Sequence, residues 1–156
     1  TLHGSSAASD VYKRQQKIYQ DVEKIEEIPV ERKGNLKNEN DILSYYISEI
    51  KEKFCIFEKL KVCIDCSNGV TGHVARRVLN EFDIDFTIIN EEVDGNFPNH
   101  SPDPTKEENL DQLKAEMKKG NCDIGIAFDG DGDRLIVIDG SFNIIWPDQL
   151  LSLIHI

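Results

Sequence analysis

Apolar and polar positions change period repeatedly through the second half of the chain, and each change marks an element. Residues 61–66 read as a strand, with Val62, Cys63 and Ile64 in succession. Residues 72–82 place Val74, Val78, Leu79 and Phe82 on one face of a helix. Residues 86–89 give a second strand, residues 90–106 a long loop, and residues 107–119 a helix closed by Gly120. A third strand is expected over residues 124–128. Strand and helix in alternation predict parallel strands joined by right-handed crossovers, so all three strands end on one edge of a sheet. That edge is where open α/β sheets bind ligands. After it, residues 135–138 should return antiparallel, Asp139 and Gly140 should turn the chain into residues 142–146, and Pro147 should open a helix reaching Leu151. The expected fold class is α/β: three layers, α/β/α, around a mixed, mostly parallel sheet.

The first forty residues give a weaker pattern. Residues 1–15 have no clear periodicity and are expected to be disordered or a foreign assembly remnant, so His3 is assigned no role. Residues 17–28 are charged and roughly helical until Pro29 stops them. Residues 31–40 form a polar linker containing Gly34. A helix over residues 41–53 follows, capped by Asn40 or Asp41, with Tyr45 and Tyr46 read as packing residues. Residues 152–156 are a tail, and His155 is assigned no function.

Composition narrows the partners. A chain of 156 residues is long enough for one core, and a net charge of −11 argues against nucleic acid and anionic membranes while suiting cations. The sequence contains no apolar run of about 20 residues and no basic start followed by an apolar segment, so the expected location is cytoplasmic. Cys55, Cys63, Cys66 and Cys122 are read as reduced, buried thiols. Cys63 and Cys66 have C-x-x-C spacing but fall in a predicted strand, with no second such pair to complete a zinc site.

The candidate chemistry lies between the third and fourth strands, where Asp129, Asp131 and Asp133 alternate with Gly130 and Gly132 before Arg134. Alternate residues of an extended segment project to one side, and glycine lets the backbone curl so that the carboxylates converge. At about 5 Å and an effective dielectric of about 20, each pair repels by roughly 3 kcal/mol. Such a cluster takes up a proton or a cation, and all-oxygen ligands favour Mg²⁺, Mn²⁺ or Ca²⁺. A solvated hairpin turn is the plain alternative. An EF-hand is excluded, because its sixth and twelfth positions, counted from Asp129, hold Arg134 and Gly140. A phosphatase with Asp129 as nucleophile would need downstream elements, for which the 27 residues after Asp129 are too few.

Around this loop, Ser67, Asn68, Gly69 and Gly72 follow a strand and precede a helix, a place suited either to a tight turn or to an anion. Asn99 and His100 lie in a proline-containing loop that could lean over the acidic residues, and His100 is a weak candidate for phosphate binding. Arg134 has a rigid fork suited to phosphate, with a salt bridge to Asp129 or Asp139 as its structural alternative.

Three stretches together resemble the α-D-phosphohexomutases, and most closely the bacterial phosphomannomutase/phosphoglucomutase branch. They are Asp-Gly-Asp-Gly-Asp-Arg at residues 129–134, Asp-Cys-Ser-Asn-Gly at residues 65–69, and Val-Asp-Gly-Asn-Phe-Pro-Asn-His-Ser-Pro-Asp-Pro at residues 93–104. The resemblance runs from about Gln16 to Leu151. It implies that residues 16–40 are the end of a preceding domain and its linker, and that residues 41–151 are the family's second, metal-binding domain. It implies Mg²⁺ as cofactor, held by Asp129, Asp131 and Asp133 beside a phosphoserine of the first domain. That phosphoserine exchanges phosphoryl groups with a hexose phosphate through a bisphosphate intermediate. Arg134 is implied as the catalytic residue that stabilises charge on the transferring group. The family's serine loop, sugar-reading loop and C-terminal phosphate loop have no counterpart in this sequence, so the missing domains of the parent chain are expected partners. The fragment alone is expected to be inactive. The alternative is a stand-alone divalent-cation-binding module without catalysis.

Overall fold

A computed structural model describes residues 6–24, 34–37, 42–55 and 59–154. The chain divides into two compact units, Thr1–Asn38 and Glu39–Ile156. In the first, one helix, α1, runs Ser6–Val22. It starts well before Lys17, so residues 6–15, within the stretch expected to be disordered or a foreign remnant, are helical here. The stretch has no Gly or Pro to break a helix, and Ala7, Ala8, Lys13, Arg14, Gln15 and Gln16 are helix-tolerant, so propensity suffices without an amphipathic period. The expected stop at Pro29 and the cap at Asn40 or Asp41 lie outside the described residues.

The second unit carries α2 (Ile42–Lys53), β1 (Lys61–Asp65), α3 (Thr71–Leu79), β2 (Asp85–Ile89), α4 (Asp111–Gly120), β3 (Ile124–Phe128), β4 (Leu135–Asp139), β5 (Ile144–Ile145) and α5 (Pro147–Ile154). The strands form one sheet in the order β2-β1-β3-β4-β5. β1 is parallel to both β2 and β3, and β4 and β5 add antiparallel pairings on the far side. Asp65 at the end of β1 pairs with Ile89 on one side and Ala127 on the other, so the parallel strands finish level.

Side chains of period two divide into two cores. On one face Cys63, Ala127, Ile136 and Ile138 pack with Leu110, Leu113, Met117 and Cys122 from α4 and its flanks. On the other, Val62, Ile64 and Cys66 pack with Ala75 and Leu79 of α3 and with Phe86, Ile88, Ile126 and Phe128. Helices on both faces make the expected three layers. Burying a side chain such as Leu113 contributes about 1.5–3 kcal/mol, and these two apolar layers hold the carboxyl ends of the strands in register.

Cys63 and Cys66, three residues apart on an extended segment, point into opposite cores and cannot bind one metal together. Burial pushes their thiols up, to about 12 for Cys63 and about 11 for Cys66. Cys55 departs from the expectation of buried thiols and is exposed. Tyr45 and Tyr46 are also mostly exposed, at 67% and 52%. Two boundaries move for local reasons. Gly120 remains helical, and Asn121, with φ 50°, takes the left-handed C-cap in its place. The strand expected over residues 142–146 shrinks to Ile144–Ile145, because Phe142 turns left-handed at φ 66° and the Asn143 N–H is donated to the Asp139 carboxylate. Among the described residues no helix is long and apolar enough to cross a membrane.

Candidate metal centre

β3 and β4 are adjacent antiparallel strands paired up to Phe128 and Leu135, and the acidic loop is the connection between them. Its neck is closed by the Asp129 N–H donating to the Arg134 carbonyl at 3.2 Å. Gly132 supplies the positive φ, 77°, that folds the loop back on itself. Asp129 is fully buried. Its Oδ1 accepts the N–H of Gly132 at 2.9 Å and of Arg134 at 3.2 Å, and its Oδ2 accepts Nε of Arg134 at 2.7 Å. Asp131 and Asp133 are exposed on the open side.

Carboxylate oxygens of the three aspartates lie within 4.8 Å of one another, the arrangement their alternation predicted. Burial pushes the Asp129 carboxyl upward, but the Arg134 N–H, a hydrogen bond with Asp133 and the Arg134 guanidinium outweigh it and leave the group below its ordinary value. Asp133 moves the other way, raised by its hydrogen bond with Asp129 and by the charge of Asp131. The opposite shifts of Asp129 and Asp133 reflect the electrostatic crowding of the three acids. A hard dication relieves it: octahedral Mg²⁺ at about 2.1 Å from its oxygens sets opposite ligands about 4.2 Å apart. The donor set is all oxygen, of about the right span, with two of its three members exposed and able to adjust, so these residues fit such an ion.

Arg134 is anchored at Nε by Asp129, while its side chain stays 57% exposed and NH1 lies 3.8 Å from Asp103. Its salt-bridge partners are therefore Asp129, Asp133 at 3.5 Å and, more distantly, Asp103, and not Asp139. The turn after β1 braces the loop. The Ser67 hydroxyl donates to the Phe128 carbonyl at 2.7 Å, and the Val70 N–H donates to the Gly130 carbonyl at 3.1 Å. A Cβ on Gly69 would sit 2.5 Å from the Gly130 oxygen, so only glycine allows the two backbones to approach this closely. The N–H groups of Ser67, Asn68, Gly69 and Val70 are all donated within the protein, to Asp65, Asn90, Cys66 and Gly130, which makes this segment a brace and not an anion cradle.

His100 comes to the same sheet edge but is turned into it, with its side chain only 13% exposed and Nε2 2.9 Å from the Asp65 carboxylate. Sequence reasoning missed Asp65 and Asn90 as site-building residues. The available signal was an acid at the end of β1 with amide side chains at the strand ends beside it.

An α/β domain with an oxygen-rich acidic loop at the carboxyl edge of its sheet is the class that fold and site define. The chain belongs to the phosphoglucomutase/phosphomannomutase family: residues 44–141 match the family model for its alpha/beta/alpha domain II. The phosphomannomutase/phosphoglucomutase of Pseudomonas syringae is 44% identical over 122 residues, which is 78% of this chain and 26% of that protein. The phosphomannomutase of Methanocaldococcus jannaschii is 39% identical over 140 residues, 88% of this chain and 31% of that protein. A crystal structure of a phosphoglucomutase/phosphomannomutase family protein from Burkholderia thailandensis superposes with a TM-score of 0.70 at 39% identity, covering 72% of this chain and 25% of that one. The chain thus spans about a quarter to a third of the length of these relatives.

Proposed function

We propose that residues 41–151 are the metal-binding domain of a phosphohexomutase that interconverts hexose 1-phosphate and hexose 6-phosphate through a phosphoserine and a bisphosphate intermediate. The observation that carries this reading is the convergence of three carboxylates within 4.8 Å at the carboxyl edge of the sheet, with Arg134 fixed beside them. The names of the relatives, phosphomannomutase and phosphoglucomutase, support the reaction class. Asp129, Asp131 and Asp133 are the ligands in this reading, and Mg²⁺ bound there supplies positive charge to stabilise a transferring phosphoryl group.

The chain's own residues set up the charge. Three carboxylates and one guanidinium sum to −3 + 1 = −2, which a single dication neutralises before a phosphate arrives. Arg134, held at Nε by Asp129 and with NH1 beside Asp103, keeps a side chain 57% exposed, and in this reading its terminal N–H groups donate to phosphate oxygens. The remaining domains of the parent chain supply the phosphoserine and the sugar-reading surface. A phosphorylated sugar is too polar to cross a membrane unaided, so the proposed location is the cytoplasm.

Isothermal titration with Mg²⁺ tests the metal assignment. One site is expected, and D131N should weaken it about tenfold or more without lowering the unfolding midpoint, because Asp131 makes no hydrogen bond among the described residues and its charge only adds to the crowding. An isotherm unaltered by D131N sinks the assignment. The purified 156-residue chain is expected to form no glucose 6-phosphate from glucose 1-phosphate, and accumulation of that product would show that catalysis does not depend on further domains.

A further inference from the structure

The hydrogen bonds around His100 determine where its protons are. Nδ1 lies 2.9 Å from the Ser101 carbonyl oxygen, which can only accept, so Nδ1 carries a proton. Nε2 lies 2.9 Å from Oδ2 of Asp65 and 3.3 Å from the Asn90 side-chain nitrogen. That amide has two hydrogens, and both are placed: one on Oδ1 of Asp65 at 2.9 Å, one on Oε1 of Gln112 at 2.9 Å. None remains for Nε2. Without a proton between Nε2 and Asp65, two lone pairs would face each other inside the fold, so a hydrogen bond joins Nε2 and Oδ2. Asp65 is fully buried, and its Oδ1 also accepts the Ser67 N–H at 2.8 Å.

This pair fastens a loop. Beside it the Asn99 amide donates to Oδ1 of Asn68 at 2.9 Å and to Oδ1 of Asn90 at 2.7 Å, and the Asp94 N–H donates to the Asn68 carbonyl at 2.9 Å. The fastened loop reaches the backbone of the acidic loop at Gly130. A Cβ on Gly130 would lie 3.4 Å from Cβ of Pro102 and 3.5 Å from Cζ of Phe97. Gly130 is thus seated between this loop and the turn after β1, whose Val70 N–H it accepts.

We propose that His100 is a positioning residue: with Asp65 it latches residues 94–104 to the end of β1, and so fixes the wall against which the metal loop closes. The role rests on the metal reading of residues 129–134 given above. It also gives His100 a task other than touching phosphate, because both ring nitrogens are engaged within the protein.

The test uses the whole chain and Mg²⁺ alone as probe. H100A is expected to weaken Mg²⁺ binding about tenfold, as loss of a group that orients metal ligands from behind commonly does. H100Q, which keeps a donor toward Asp65, should recover part of that loss, both measured where circular dichroism shows the variants folded. Nitrogen-15 resonances of the His100 ring should show Nδ1 protonated and Nε2 in a hydrogen bond that D65N alters. An Nε2 without a hydrogen bond overturns the latch, as does H100A binding Mg²⁺ like the wild type. If the wild-type chain binds no Mg²⁺, the metal reading falls and the positioning role with it. Wild-type binding that survives intact in H100A removes the positioning role alone.

Discussion

The turn between β3 and β4 and the turn between β4 and β5 are both built from aspartate and glycine, yet they leave their acids in different states. In the second, Oδ1 of Asp139 accepts the N–H groups of Ser141 at 2.9 Å and Asn143 at 2.8 Å, and Oδ2 accepts the Asn143 side-chain amide at 2.9 Å. One carboxylate meets three donors, and the Asn143 side chain and backbone hold it below its ordinary value. In the first turn Asp129 does the same with Gly132 and Arg134. Asp131 and Asp133 then come in excess, exposed and close enough to Asp129 to raise Asp133. A hairpin needs one acid to organise its backbone. Of the two that remain, Asp131 makes no hydrogen bond among the described residues and Asp133 reaches only Asp129 and Arg134, and that surplus supports the proposed metal site.

Removing Asp129 breaks this contrast most severely. D129A leaves the Gly132 and Arg134 N–H groups without their acceptor at the closed end of the loop, and should lower stability by about 2–4 kcal/mol and abolish Mg²⁺ binding. Thermal unfolding and calorimetry read both effects. G69A comes next: its new methyl meets the Gly130 carbonyl backbone, which has no rotamer by which to yield. The overpacking should cost about 1–3 kcal/mol and reduce Mg²⁺ affinity, although no acid is touched. A variant that is destabilised but binds normally would show the loop to be independent of its brace.

Acidification sharpens the contrast through opposite signs. Asp129 and Asp139 are depressed in the fold, so the stability they contribute is present above the unfolded carboxyl value, about 3.9, and is lost as pH falls through their folded values. Asp133 is raised, so its contribution is present below that unfolded value and is lost as pH rises through its folded one. Mg²⁺ should therefore weaken on acidification as Asp133, raised above its ordinary value, takes its proton before Asp129 does. Titrations there in two buffers of different ionisation enthalpy should detect proton release. The smallest effect belongs to D139N, expected to shift the unfolding midpoint by about 1–3 °C and to leave the Mg²⁺ isotherm unchanged. A loss of binding in D139N would mean that the two turns are not separate.

Much of this was legible because it depends on period and spacing. The bounds of β3 follow from the apolar run Ile124–Phe128, and the convergence of Asp129, Asp131 and Asp133 follows from their alternation. The family resemblance carried by residues 129–134, 65–69 and 93–104 agrees with the model that matches residues 44–141. What was missed depends on contacts between distant parts of the chain. Asp65 and His100 are 35 positions apart and belong to no repeat, so the sequence carries no local sign that one is buried against the other. The left-handed cap at Asn121 was hidden by a neighbouring glycine that looked the better candidate. The part of α1 before Lys17 was missed because propensity alone, without an apolar stripe, leaves no period to detect.

The neck of the β3–β4 connection has one further consequence. Because Phe128 pairs with Leu135 in the sheet and the Asp129 N–H closes on Arg134, the six intervening residues enter and leave through a gate set by the strand ladder. Most of their backbone freedom is surrendered when the polypeptide folds, and an arriving ion has little left to immobilise. Occupancy at this point is therefore a matter of coordination chemistry far more than of chain ordering.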